Sequence, residues 1–389
     1  MKITNKYLVE ALVFLSYMLF AMAWVGGAAS MEQIMAAMDI DSLASASFIS
    51  GMVTFAKIVG TFGAAWLAVK LGVKGAFFVS SILIAIGLFT PISPNYELLL
   101  LSRFLMGLGG AFMIVYFNPI VMEFFKVDER PAINGLNAVA FNVGTAIILW
   151  FMADINAITG GWKNSLIAFS IISFALAAVW LLVKFNAPAA NNNDDQQQES
   201  YSYIEGLKDK FNWVYGLTYA GLLTFYICLF TFYPQAGISQ SKWVIGFGII
   251  GTFAGILYSK KFPKRVPVIR WSGLMITLTI IGLSFGGSEA VQMISAMLLG
   301  FFIFLPVTAL VSIPHEMANM TTARITVIFS LFYSISYLFS TVLLWLFGKL
   351  VDMNNGDFTQ SFILIAVVST TFFIGSFFLP ETAKTQGES

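Results

Sequence analysis

Apolar runs of about twenty residues recur along the chain from end to end, and each is long enough to cross a hydrocarbon layer of about 30 Å. That pattern excludes most soluble folds. The chain has 389 residues, 58% of them hydrophobic and 11% charged. A soluble protein of this length would carry about 25% charged residues. Polar or Gly/Pro-containing loops bound each run, and the runs read as membrane helices. Twelve spans are expected, at approximately 7–29, 45–69, 76–94, 98–122, 132–152, 164–185, 213–235, 241–259, 267–286, 290–312, 325–347 and 361–379. The first is too long for a signal-peptide core and lacks a cleavage site, so it reads as a membrane helix. The predicted fold is an all-α membrane protein with two pseudo-symmetric six-helix bundles. Residues 1–185 form the first bundle, 186–212 a cytoplasmic linker rich in Asn, Gln and Asp, and 213–389 the second. Within the linker, IEGLKDKFNW is read as a short amphipathic surface helix.

Charge sets the orientation. With both termini inside, the inner loops receive most of the lysines and arginines, among them Lys70, Lys74, Lys126, Arg130, Lys260, Lys261, Arg265 and Lys384, while the outer side receives Lys163, Lys242 and Lys349. A net charge of +1 gives no reason to expect a nucleic-acid partner. One cysteine, Cys228, and one histidine, His315, give neither a disulfide nor a metal cluster. Walker, nucleophile-elbow and dinucleotide-binding motifs are lacking, so no enzyme activity and no cofactor is expected.

The two halves repeat. Gly60–Lys74 (GTFGAAWLAVKLGVK) and Gly251–Arg265 (GTFAGILYSKKFPKR) share the Gly-Thr-Phe start and place basic residues at equal offsets, Lys70 with Lys261 and Lys74 with Arg265. Glu10, Tyr17 and Trp24 recur every seven residues in span one, as do Tyr219, Tyr226 and Tyr233 in span seven, so each trio shares one helix face. Such repeats are a transporter signature, with a site expected at mid-membrane between them.

Over nearly its whole length the chain resembles the major facilitator superfamily. The loop after span two is similar to the family's G-x-x-x-D-R-x-G-R-R through Lys70, Gly72 and Lys74, with Ala65 and Val69 replacing the first glycine and the acid. Span four is similar to R-x-x-x-G-x-G through Arg103, Gly107 and Gly109. Asn142-Val-Gly144 and the basic residue of span two resemble the nitrate and cyanate permease branches, whose span-eight arginine and span-eleven glycine signature are missing. The resemblance implies alternating access, a cavity lined by spans one, four, seven and ten, and a gating loop at Lys70, Gly72 and Lys74 that, lacking its acid, is weaker or built differently.

Lys57 is the leading candidate. It lies mid-span, where a cation costs several kcal/mol unless answered. Holding an anionic solute and pairing with an acid such as Glu10 are both open. Arg103, about 8 Å inside the outer end of span four, is placed to steer an anion, to gate, or to donate to helix ends. Asn142 is placed for solute contact or for holding helices together. Tyr17, Tyr226, Tyr333 and Tyr337, with Thr224 and Cys228, are candidate lining groups. Glu10 is placed to accept a proton or to be solvated at the inner end. The expected partners are a small, anionic solute, a proton or counter-substrate, and the lipid bilayer of a bacterial inner membrane around a monomer. Two other readings are an exporter of amphiphilic compounds, suggested by 39 Phe and 17 Met, and a non-transporting membrane sensor.

Overall fold

The computed structural model describes residues 3–126, 129–185, 201–318 and 320–382. Most of the expected linker, 186–200, and Lys384 lie outside these residues. Among the described residues, ten helical stretches are long and apolar enough to cross a membrane. One of them, Leu43–Ile92, has 50 residues, enough for two crossings, and a shorter apolar helix, Thr359–Gly375, follows the last. Together they provide the twelve spans of an all-α membrane protein.

The first compact unit, Met1–Asp195, contains α1 (Lys6–Ala29), α2 (Phe48–Ala85), α3 (Tyr96–Phe124), α4 (Arg130–Thr159) and α5 (Trp162–Trp180). Asn5 caps α1, its side chain accepting the Tyr7 and Leu8 amides. Helix α2 holds spans two and three. The chain breaks direction at Gly72, with φ 67° and ψ 164°, a backbone region that is nearly glycine's alone. Pro91 falls within the 3₁₀ turn Ile86–Ile92 that ends span three. Pro119 lies inside α3.

The second unit, Gln196–Ser389, contains α6 (Lys210–Thr231), α7 (Lys242–Lys261), α8 (Val266–Phe285), α9 (Glu289–Phe304), α10 (Val307–Glu316), α11 (Thr322–Met353) and α12 (Thr359–Gly375). Helices α9 and α10 share one span, broken at Leu305–Pro306, where Pro306 supplies no amide to continue the ladder. Before α6, Tyr203–Lys208 forms the expected short helix, closed by a capping box between Ser202 and Glu205. Asp209 then caps α6, so that helix starts at Lys210 rather than at 213. His315 lies in the last turn of α10.

Helix pairing repeats between units. In the first, α2 packs along α3, and α1 against α4 and α5; in the second, α7 packs along α9, and α6 against α11 and α12. In span numbers these pairs are two with four, one with five and six, eight with ten, and seven with eleven and twelve. The internal repeat read from Gly60–Lys74 and Gly251–Arg265 is therefore also a repeat of packing.

Candidate substrate site

Helix α1 turns one face toward α4, and the residues of that face form a series. Glu10 comes first, then Tyr17, Phe20 and Trp24, all buried. Lys57, only 4% exposed, enters from α2. Its Nζ lies 5.2 Å from the ring centres of both Phe20 and Trp24, 5.7 Å from Phe141 and 5.9 Å from Tyr17. The rings also pack on one another: Tyr17 is stacked on Phe20 at 5.6 Å, and Trp24 meets Phe141 edge-on at 5.5 Å. Ring faces attract a cation through their quadrupole, worth about 2 kcal/mol when desolvated. The lysine of span two is thus held in an aromatic cage. Sequence reasoning found Tyr17 and Trp24 by their spacing but missed Phe20, although it lies a turn from both, and Phe141, the neighbour of Asn142. Trp24 is buried within the unit, at 2% exposed. Asn142 is buried in the same helix as Phe141.

Arg103 has another occupation. It is 1% exposed, and its Nε donates to the Ile49 carbonyl at 2.9 Å, Nη1 to Ala23 and Nη2 to Trp24, both at 2.8 Å. Charge-assisted bonds of this kind are about twice as strong as neutral ones. The guanidinium of α3 therefore fastens α1 and the start of α2, the donor role that the sequence left open beside steering and gating. Gly27 makes room for it: a Cβ there would lie 2.6 Å from Nη1.

Glu10 is not solvated. It is 4% exposed, and among the described residues neither carboxylate oxygen has a hydrogen-bond partner within bonding geometry. The polar group that reaches toward it is Asn137 of α4, 2% exposed and likewise unsatisfied at both side-chain atoms. Asn137 carried no sequence signal beyond being an amide one turn before Phe141.

At the ends of the first unit, Lys74 donates to the Leu181 carbonyl at 2.9 Å, and Trp180 Nε1 donates back to the Lys74 carbonyl at 3.0 Å. Lys70 lies over the Trp66 ring at 4.3 Å. Lys6 and Glu129 form an ion pair at 2.5 Å. With Val69 in place of an acid, the loop at Gly72 is fastened through carbonyls and a ring. The equivalent residue of the second unit, Arg265, does meet acids. It donates to Glu316 at 2.6 Å, and Glu381 accepts the Arg265 and Val266 amides at the start of α8. Thr382 donates to Glu316 at 2.8 Å. The bonds to Glu316 hold the Arg265 side chain above its ordinary range.

In the second unit, the candidates separate. Thr224 is fully buried, donating to the Ala220 carbonyl at 2.7 Å and sharing a 3.0 Å bond with Ser340. Cys228 is fully buried. Thr224 joins α6 to α11, and both groups are buried and line no open surface. Tyr226, Tyr333 and Tyr337 are half-buried. Tyr226 meets Phe304 edge-on at 5.9 Å, and Tyr333 stacks on Tyr337 at 6.4 Å.

Comparison with known proteins agrees with this architecture. Residues 13–341 match the family described as Major Facilitator Superfamily. The chain belongs to that superfamily, and it is a multi-pass secondary transporter rather than an enzyme. An uncharacterized protein of Campylobacter jejuni is 28% identical over 268 residues, covering 65% of this chain and 82% of that protein. The galactose-proton symporter of Escherichia coli K12 is 35% identical over 112 residues, 28% of this chain and 24% of the symporter. The inward-open structure of the E. coli xylose transporter XylE superposes with a TM-score of 0.77 at 13% identity, covering 99% of this chain and 98% of that one. The E. coli fucose:proton symporter FucP gives 0.61 at 18% identity, covering 97% and 100%.

Proposed function

We propose that this transporter carries a small anion across the membrane by alternating access, coupled to protons or to exchange. The observation that carries the reading is the aromatic cage of Lys57. Its rings attract the ammonium through their quadrupoles and carry no formal charge. A point charge of this kind, low in dielectric, suits a carboxylate or an inorganic anion. Tyr17 is proposed to contact the solute beside Lys57, with Asn142 supporting that wall. Glu10, buried against Asn137, is the proposed coupling group, since uptake of an anion into a negative-inside cell needs a compensating cation. The functional halves are proposed as 1–185 and 213–389, joined by 186–212, with both termini cytoplasmic in a bacterial inner membrane and the protein acting as a monomer.

A second reading, uptake of a neutral sugar with protons, is favoured by the 112-residue similarity to a galactose-proton symporter. Counterflow in proteoliposomes separates the two. The anion reading expects saturable exchange of at least one of nitrate, cyanate, lactate or gluconate, abolished in Lys57→Ala. Galactose exchange that survives Lys57→Ala, with no anion exchanged, overturns it.

A further inference from the structure

Within the second unit, α8 and α12 touch backbone to backbone: a Cβ on Gly273 would lie 2.7 Å from the Phe373 nitrogen. Small residues let membrane helices approach in this way. The two helices run antiparallel, since Glu381, just beyond α12, accepts the amides at the start of α8. The residue one turn before Gly273 therefore falls beside the residue one turn after Phe373. These are Arg270 and Phe377, and the guanidinium carbon lies 4.0 Å from the ring centre. Arg270 is the fifth residue of α8, about 6 Å along it, close to the membrane boundary rather than at mid-span.

This arginine has no protein acceptor. Its Nε is shielded without a partner, and among the described residues the guanidinium makes no hydrogen bond or ion pair. The chain's other arginines, Arg103, Arg130, Arg265 and Arg324, all donate to a carbonyl or a carboxylate. Both acids at this end are engaged, Glu316 by Arg265 and Thr382, and Glu381 by two backbone amides. Lys260, Lys261 and Lys264, exposed on the way into α8, likewise make no ion pair among the described residues. Beside Arg270 the surface turns apolar, with Trp271, Phe377 and Phe378 65%, 55% and 67% exposed. The fold does not demand the charge: where the internal repeat aligns Gly60 with Gly251, Arg270 falls on Val79.

What covers an exposed apolar face of a multi-pass protein is lipid. A phosphodiester presents two acceptor oxygens to the guanidinium fork, its acyl chains lie along the exposed rings, and lysines at the surface attract anionic headgroups. We propose that Arg270, resting on Phe377, binds the phosphate of an anionic phospholipid, with Lys260, Lys261 and Lys264 selecting for net negative charge. This site belongs to the second unit alone and stands whatever solute is carried.

The test is native mass spectrometry of the full-length protein in detergent, titrated with phosphatidylglycerol or with phosphatidylcholine of the same acyl chains. The parent is expected to retain more tightly held phosphatidylglycerol than phosphatidylcholine. Arg270→Gln should lose one tight phosphatidylglycerol equivalent, its affinity falling about tenfold with the charge-assisted bonds, while phosphatidylcholine binding is unchanged. Lys264→Gln should weaken phosphatidylglycerol about fivefold. Lys163→Gln, the same charge change outside this unit, should leave the count as in the parent. An unchanged count in Arg270→Gln, an equal loss in Lys163→Gln, or equal retention of the two lipids by the parent overturns the site. Displacement of the lipid by an excess of glycerol 1-phosphate overturns the lipid assignment in favour of a soluble phosphate. Arg270→Gln should melt with the parent in phosphatidylcholine nanodiscs, which shows that the lost lipid is not lost fold.

Discussion

Arg103 and Gly27 occupy one another's space: the guanidinium fills the place where a side chain on Gly27 would stand, 2.6 Å from the nearest nitrogen. Gly27→Ala is therefore expected to displace the arginine from the carbonyls of Ala23, Trp24 and Ile49. Overpacking of this kind costs about 1–3 kcal/mol, and thermal unfolding in detergent should show a Tm lower by several degrees. Arg103→Lys should fall at least as far, because a lysine lacks the planar fork that reaches three carbonyls.

The cage predicts an energetic coupling between Lys57 and Phe20. Phe20→Leu keeps apolar bulk but removes a ring 5.2 Å from the ammonium. In a double-mutant cycle with Lys57→Met, the cost of Phe20→Leu should be smaller by about 1 kcal/mol in the Met background. Equal costs in both backgrounds would mean that the ring does not hold the charge.

Glu10→Gln should act in opposite directions on stability and on coupling. Among the described residues the buried carboxylate has no hydrogen bond within bonding geometry, and an ionised group so placed carries an uncompensated desolvation cost of about 1–3 kcal/mol or more. The neutral isostere removes it, so Tm should rise. Counterflow should persist while accumulation driven by a pH gradient is lost. A variant that still accumulates solute would exclude Glu10 as the coupling group.

A pH dependence follows from Glu129, which lies outside the spanning segments. The hydrogen bond from Lys6 holds its carboxyl below the usual range. A group whose native pKa is depressed adds stability above its unfolded value of about 4.3, and that stability is lost as pH falls through the native value. The Tm difference between the parent and Glu129→Gln should thus be constant from neutral pH down to about 5 and disappear on further acidification. A difference that does not shrink at all as pH falls through and below about 4.3 would contradict the pairing.

Gly72→Ala tests the turn between spans two and three. Its φ of 67° with ψ of 164° excludes an L side chain without strain of about 1–3 kcal/mol. Space is not the obstacle, since nothing lies within 4 Å of an added Cβ. The Tm loss should therefore be the same for Ala and for Ser.

The spans were legible because each apolar run is continuous and each break carries a recognisable residue, such as Gly72 or Pro91. Lys57 was legible because a charge in the middle of such a run is costly wherever it points. Its surroundings were not, because Phe20 and Phe141 look like any other lipid-compatible residues until α1, α2 and α4 are packed. Arg103 illustrates the same gap. A pattern with Gly107 and Gly109 singled it out, but its three acceptors are backbone carbonyls, which every residue has. Glu10 stood near a span end, where burial and solvation look alike in sequence, and only the approach of Asn137 from α4 distinguishes them. Thr224 looked like a lining group by helix and depth, and its bond to Ser340 depends on a helix more than a hundred positions away.

The grip of one guanidinium on Ala23, Trp24 and Ile49 also has a mechanical meaning. Beyond Trp24, the first helix cannot slide along the third without breaking charged bonds at once, so that end travels as a welded joint. Any bending of the first helix is thereby left to the stretch around Glu10, where, among the described residues, neither the carboxylate nor the Asn137 amide is tied down by a hydrogen bond within bonding geometry.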